Sequence, residues 1–159
     1  MSLAKRMFFE SVFALMITVF VLAGTPRIAH ADLPRAGQSP VLAGNLTTQQ
    51  VECATLCTRG VMTGGLAGRL DFVMQTMTPT DDPDVFLYTG TNTVTTSTGT
   101  LAGTDHGIWN IATGEFVDFT IFSTATGGYR NKRGTLTITG VFDPVIGQGH
   151  SKYVAVLFR

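Results

Sequence analysis

Two groups of ionisable residues in this 159-residue chain have a spacing that chemistry can use. Asp105-His106 precedes Trp109, and Glu115 and Asp118 follow across a short turn, which makes this the densest polar group in the sequence. If segments 100–110 and 115–124 pair as a hairpin, His106 approaches Asp118, giving a base and a partner that orients it. Asp105 and His106 are adjacent, so on a strand they face opposite ways and do not line one cavity together. The competing reading is a surface Asp105 beside a partly buried His106 that satisfies a backbone carbonyl. Arg69 and Asp71 share one side of a strand and would polarise a carbonyl or epoxide oxygen inside a barrel. Their alternative is an ion pair that fixes strand register. The catalytic candidates are thus Arg69, Asp71, His106 and Asp118.

Other chemistries find little purchase. Beyond the leader, His106 and His150 are the only histidines and no ligand spacing appears, so no metal site and no cofactor are expected. No Gly-x-Ser-x-Gly occurs, Ser123 and Ser151 lack an evident base, and the glycine pairs open strands rather than phosphate-binding helices. Cys53 and Cys57 are the two thiols. They form either a structural disulfide, which in so short a loop adds little global stability, or a Cys-x-x-x-Cys redox or metal pair. Phe72, Tyr88, Trp109, Phe119 and Phe122 are candidates to line a ligand cavity or, equally, to be ordinary core.

The first 31 residues read as a signal peptide. Lys5 and Arg6 supply the basic start, 12–23 is an apolar stretch, and Ala29-His30-Ala31 puts small residues at the cleavage positions. The apolar run is shorter than the roughly 20 residues that a spanning helix needs, so no membrane span is expected after its removal at Asp32. Export to a periplasm or the outside follows, and favours the disulfide. Without Lys5, Arg6, Arg27 and Glu10 the remaining chain holds 8 basic and 10 acidic residues. That balance does not steer a polyanion, and Arg130-Asn131-Lys132-Arg133 reads as a solvated turn, so no nucleic-acid partner is expected.

Positioning falls to strands. After an extended Pro/Gly-containing arm, with the cysteine loop, over 32–59, the segment 60–159 has no helical periodicity and is rich in Thr, β-branched residues and Gly. Leu66, Leu70, Phe72 and Met74 alternate with Arg69, Asp71 and Gln75. Phe116, Asp118, Thr120 and Phe122 oppose Val117, Phe119 and Ile121, and Tyr153, Ala155 and Leu157 oppose Val154, Val156 and Phe158. Gly64, Gly99 and Gly134, with Leu66, Leu101 and Leu136, recur every 35 residues. The pattern predicts three hairpin pseudo-repeats, about 64–97, 99–124 and 134–158. With one or two strands from 41–60 they make an all-β, antiparallel up-and-down barrel of seven or eight strands, its interior filled or holding one small ligand.

The glycine punctuation, from Tyr88-Thr89-Gly90 and Gly99-Thr100-Leu101-Ala102-Gly103 through Gly107-Ile108-Trp109 to Arg133-Gly134-Thr135-Leu136-Thr137-Ile138-Thr139-Gly140, resembles the allene oxide cyclase barrel-like superfamily with its dirigent-like proteins. The resemblance spans about 60–158. It implies an eight-stranded barrel with a mostly apolar cavity, cofactor-free control of cyclisation or radical coupling, and homo-oligomers. No segment matches the plant cyclase's active-site motifs, so no catalytic residue is carried over. The expected function is an exported, cofactor-free barrel that binds a small apolar molecule. The alternatives are an isomerase or cyclase using the same cavity, and a structural or surface-interaction module whose Thr-rich stretch 89–104 pairs with partners.

Overall fold

The computed structural model describes residues 39–159; the leader over 1–31 and the first seven residues of the arm, 32–38, lie outside the described residues. The strands are β1 (Val41–Val51), β2 (Cys57–Gly64), β3 (Gly68–Pro79), β4 (Val85–Thr96), β5 (Thr100–Asn110), β6 (Glu115–Ala125), β7 (Arg133–Asp143) and β8 (Gln148–Phe158). Each pairs antiparallel with the next, and β1 returns to β8, so the sheet closes as an eight-stranded up-and-down barrel. β1 and the start of β2 come from the segment that the sequence reading set apart as an arm. Among the described residues no helix is long and apolar enough to cross a membrane.

Period-two alternation decides which residues enter the barrel. Leu70, Phe72 and Met74 of β3 are buried between exposed Arg69, Val73 and Gln75. On β6 Asp118, Thr120 and Phe122 point inward while Val117, Phe119 and Ile121 face out, and on β8 Tyr153, Ala155 and Leu157 point inward.

The 35-residue phase is not reproduced in the strands. Leu66 lies in the β2–β3 turn, Leu101 is the second residue of β5 and Leu136 the fourth of β7, although all three are buried. The reason is unequal connections. The β2–β3 and β4–β5 turns leave residues 65–67 and 97–99 outside strands, whereas β6–β7 uses 126–132 with a 3-10 turn at Gly127–Tyr129, and register shifts interrupt β3–β4 and β5–β6. A constant spacing therefore lands at different depths.

The two ends of the barrel differ. At the end bounded by the β2–β3, β4–β5 and β6–β7 turns, Leu66, Val94, Leu101, Phe122, Leu136, Ala155 and Leu157 form a solid plug. Tyr153 ties it together: its hydroxyl donates to Thr63 O at 2.9 Å and accepts from Leu66 N–H at 2.8 Å. Tyr153→Phe leaves the buried Leu66 N–H without a partner. We expect a loss of about 1–3 kcal/mol, measured as a lower midpoint in denaturant unfolding with an unchanged slope.

Candidate functional site

Above the plug the interior opens into a cup of about 60 Å³. It faces the end bounded by the β1–β2, β3–β4, β5–β6 and β7–β8 connections. Its wall is apolar: Leu46, Leu70, Phe72, Met74, Ile138 and Phe142 contribute, with Tyr88 and Trp109. Phe72 meets Tyr88, and Trp109 meets Phe142, edge to face with centroids 5.9 Å apart in each pair. Glycines on the inner face make room for these rings. A Cβ on Gly107 would overlap the Tyr88 ring, and one on Gly90 the Phe72 ring.

The polar side chains meet between cup and plug. Asn92 of β4, Asp105 of β5, and Asp118 and Thr120 of β6 are all buried. Asn92 Nδ2 donates to Asp105 Oδ1 (3.0 Å) and to Thr120 Oγ1 (2.7 Å), and Thr120 Oγ1 donates to Asp105 Oδ1 (2.8 Å). Asp105 also shares a hydrogen bond with Asp118, which lines the cup. Two carboxyls bond to each other only through a proton, and Asp105 Oδ2 and Asp118 Oδ1 are buried oxygens with no other partner.

Burial raises the Asp118 carboxyl well above its ordinary range, and the charge of Asp105 and the hydrogen bond between them add to the rise. Burial raises Asp105 too, but hydrogen bonds from Asp118, Thr120 and Asn92, and the charge of His106, pull the other way. The two carboxyls titrate as a pair in which Asp118 is the more strongly raised and so the more readily protonated. Burial, followed by the charges of Asp118 and Asp105, also pushes the Tyr88 phenol far up, so it stays neutral.

Of the catalytic candidates, Asp118 is in this site and three are elsewhere. His106 is exposed and points outward, opposite Thr89 and Phe119 in the ladders, while its neighbour Asp105 takes the inward position. The expected approach of His106 to Asp118 therefore does not occur, and the competing reading of a surface Asp105 beside a buried His106 is reversed. Arg69 and Asp71 lie on the outer wall, not inside. Arg59 Nε and Arg69 Nε contact Asp71 Oδ1 at 2.9 Å and Oδ2 at 2.7 Å, clasping β2 to β3. Burial alone would raise the Asp71 carboxyl, but the two guanidinium groups outweigh it and hold it below the usual value. With both arginines more than half exposed, this clasp fixes register and contributes little stability.

Of the aromatic candidates, Phe72, Tyr88 and Trp109 line the cup. Phe122 lies in the plug beneath it, and Phe119 is 41% exposed on the outer wall because it alternates with Asp118 and Thr120. Cys53 and Cys57 are bonded to each other, as the disulfide reading expects, and no cluster of potential metal ligands occurs among the described residues. The bond fixes the β1–β2 connection, whose Leu56 sits at the mouth. Thr55 Oγ1 donates to Met74 O (2.8 Å), and Met74 N–H to Leu56 O (2.9 Å).

Asp105, Asn92 and Thr120 belong to the site but were not among the sequence candidates. Their strand phase was the signal: Asp105 is in step with Leu101 and Trp109, Asn92 with Tyr88 and Val94, and Thr120 with Phe122. Comparison with protein families, with curated proteins and with solved structures returns no match.

A carboxyl pair raised by burial sets a pH dependence. Above about pH 4 an unfolded aspartate gives up its proton while the folded pair keeps one, so the folded state binds more protons and stability falls as pH rises. The clasped Asp71 works the other way, losing its contribution as pH falls below the ordinary aspartate range. Thermal unfolding of the wild type should show a decline in midpoint above pH 4 that Asp118→Asn flattens. The asparagine donates to Asp105 at every pH, and at pH 8 we expect it to gain about 1–3 kcal/mol.

Proposed function

We propose that this protein is an exported, cofactor-free β-barrel that takes a small, mainly apolar molecule head-first into its cup. One observation carries the reading: an apolar cup, open at one end, has buried polar atoms without partners in residues of its lining, namely Trp109 Nε1 and Asn92 Oδ1. A structural barrel fills such a space with side chains or leaves it dry and apolar, and here it is neither. A cup of about 60 Å³ is far smaller than the roughly 300–1,000 Å³ of sites that enclose drug-sized ligands. It holds a head group, and the rest of the ligand lies at the mouth against Leu56, Phe116 and Phe142.

The basic start, apolar stretch and small-residue cleavage site over 1–31 support export, as does the Cys53–Cys57 disulfide, since such bonds persist in oxidising compartments. The glycine spacing that resembles the allene oxide cyclase barrel-like superfamily supports a small lipophilic ligand. A second reading, a cofactor-free isomerase or cyclase, is favoured by the proton-sharing pair at the base of an apolar cup, where Asp118 and Asp105 relay a proton. Exposed Leu87, Ile108, Val117, Phe119 and Ile121 on the outer wall of β4 to β6 support self-association as a homo-oligomer.

Trp109 is the one tryptophan of the chain and lines the cup, so its emission reports directly on occupancy. Protein purified from its own host should carry a stoichiometric passenger by native mass spectrometry, and extracting it should shift Trp109 emission. An empty protein whose emission is unmoved by a panel of lipids and terpenoids would end the binding reading. For the isomerase, incubation should convert the passenger to a product of equal mass, and Asp118→Asn should abolish conversion while leaving the emission change.

A further inference from the structure

The proton placed between the two aspartates determines what the cup can recognise. Asp105 accepts at Oδ1 from Asn92 and Thr120, bonds that favour its charged form and so direct the shared proton from Asp118 toward it. Asp118 is a donor toward Asp105 and offers only acceptor capacity toward the cup. The neighbouring polar atom of opposite kind is Trp109 Nε1, a buried N–H without a partner. Trp109 stands opposite Phe116 on β6, and Asp118 is two residues further along that strand on the same inner face. Diagonal neighbours of this kind are within reach of one another for aromatic and long side chains.

Resting on the binding reading above, we propose that the head group taken by the cup is a hydroxyl, as in an alcohol, phenol or enol, whose oxygen accepts from Trp109 Nε1–H and whose proton goes to the Asp118 carboxyl. Head groups that lack either a donor or an acceptor, or that carry a charge, leave a buried partner unmet or are disfavoured. A ketone or ether accepts from Trp109 but gives nothing to Asp118. An ammonium has no lone pair for Trp109 and must bring its charge into an apolar wall. A carboxylate meets the negative charge held on Asp105. A hydrocarbon fills the space and leaves both atoms unpaired, and sites built to bond a hydroxyl discriminate against ligands lacking it.

The groups that face the bridge from every packed element are Tyr88 across Gly107 on β4, Asp105 on β5 and Asp118 on β6, with His106 on the outer face behind Asp105.

The test uses the whole folded protein, stripped of passenger, with three six-membered-ring probes of similar size: cyclohexanol, cyclohexanone and methylcyclohexane. Binding is followed by ligand-observed NMR. Cyclohexanol should bind about tenfold more tightly than either of the others, the worth of one buried hydrogen bond. Trp109→Phe should erase the preference while keeping binding. Asp118→Leu should erase it too, and Asp118→Asn, which donates to Asp105 from its amide and keeps an oxygen for the cup, should retain it. Equal binding of the three probes overturns the hydroxyl assignment and leaves the apolar cup standing. Preference for cyclohexanone overturns it by making Asp118 a donor to the cup. Failure of all three to bind, with Trp109 emission unmoved by the wider panel, brings down the binding reading and this inference with it. The wild-type ranking decides the assignment even if a variant fails to fold.

Discussion

The pairing of β1 with β8, from Val41 opposite Val156 to Gln49 opposite Gln148, is the constraint on which the other features depend. An open eight-stranded sheet would expose two edges and its apolar face to water, whereas closure satisfies the backbone groups of both edges and encloses one face entirely. Closure also fixes the number of inward positions, and these must be filled or left as space. This chain does both. Leucines and aromatics are stacked from the β2–β3 turn inward as far as Thr120, and the opposite end is left open between Leu46, Phe72, Trp109 and Phe142.

The boundary between plug and cup is polar, which a scaffold alone does not require. A well-packed hydrophobic replacement of a buried charged group is often neutral or stabilising. The barrel instead keeps two carboxyls, an amide and a hydroxyl out of water, satisfying most of them among themselves. The remaining mismatch is eased by protonation: both carboxyls ionised would be like charges in hydrogen-bond contact at low dielectric, which raises the Asp118 carboxyl well above its ordinary range. Tyr88 and Gly107 belong to the same arrangement, since a ring lying over a glycine lets β4, β5 and β6 bring Asp118 and Trp109 to one wall. A polar constellation that costs stability and faces a cavity has the character of a site.

Alternation along single strands made most of the fold legible in the sequence: the two faces of β3, β6 and β8 are as the pattern of Leu70, Phe72, Asp118, Thr120, Tyr153 and Leu157 indicates. The same rule carried further would have moved several site residues. Arg69 and Asp71 are out of phase with Leu70 and Phe72 and so belong outside, and Phe119 is out of phase with Asp118. Asp105, in phase with Leu101 and Trp109, belongs inside in place of His106. What no single strand reveals is how neighbouring strands register. The capture of Asp71 by Arg59 from β2, the meeting of Asn92 with Thr120 across β5, and the division into plug and cup depend on turn lengths and register shifts.

The disulfide is best understood at this level of cross-strand placement. A loop closed over so few residues removes little entropy from the unfolded chain, so its effect is local. Cys57 is buried as the first residue of β2, and the bond draws Cys53 back toward it so that the connection folds over the rim. Met74 then continues the ladder past the end of the β2–β3 pairing by bonding to Leu56 and Thr55, just before the register shift between Met74 and Thr76 turns β3 away. Leu56 is thereby held at the mouth as an apolar lip. The bond thus fixes the rim of the cup in place where the barrel ladder has ended.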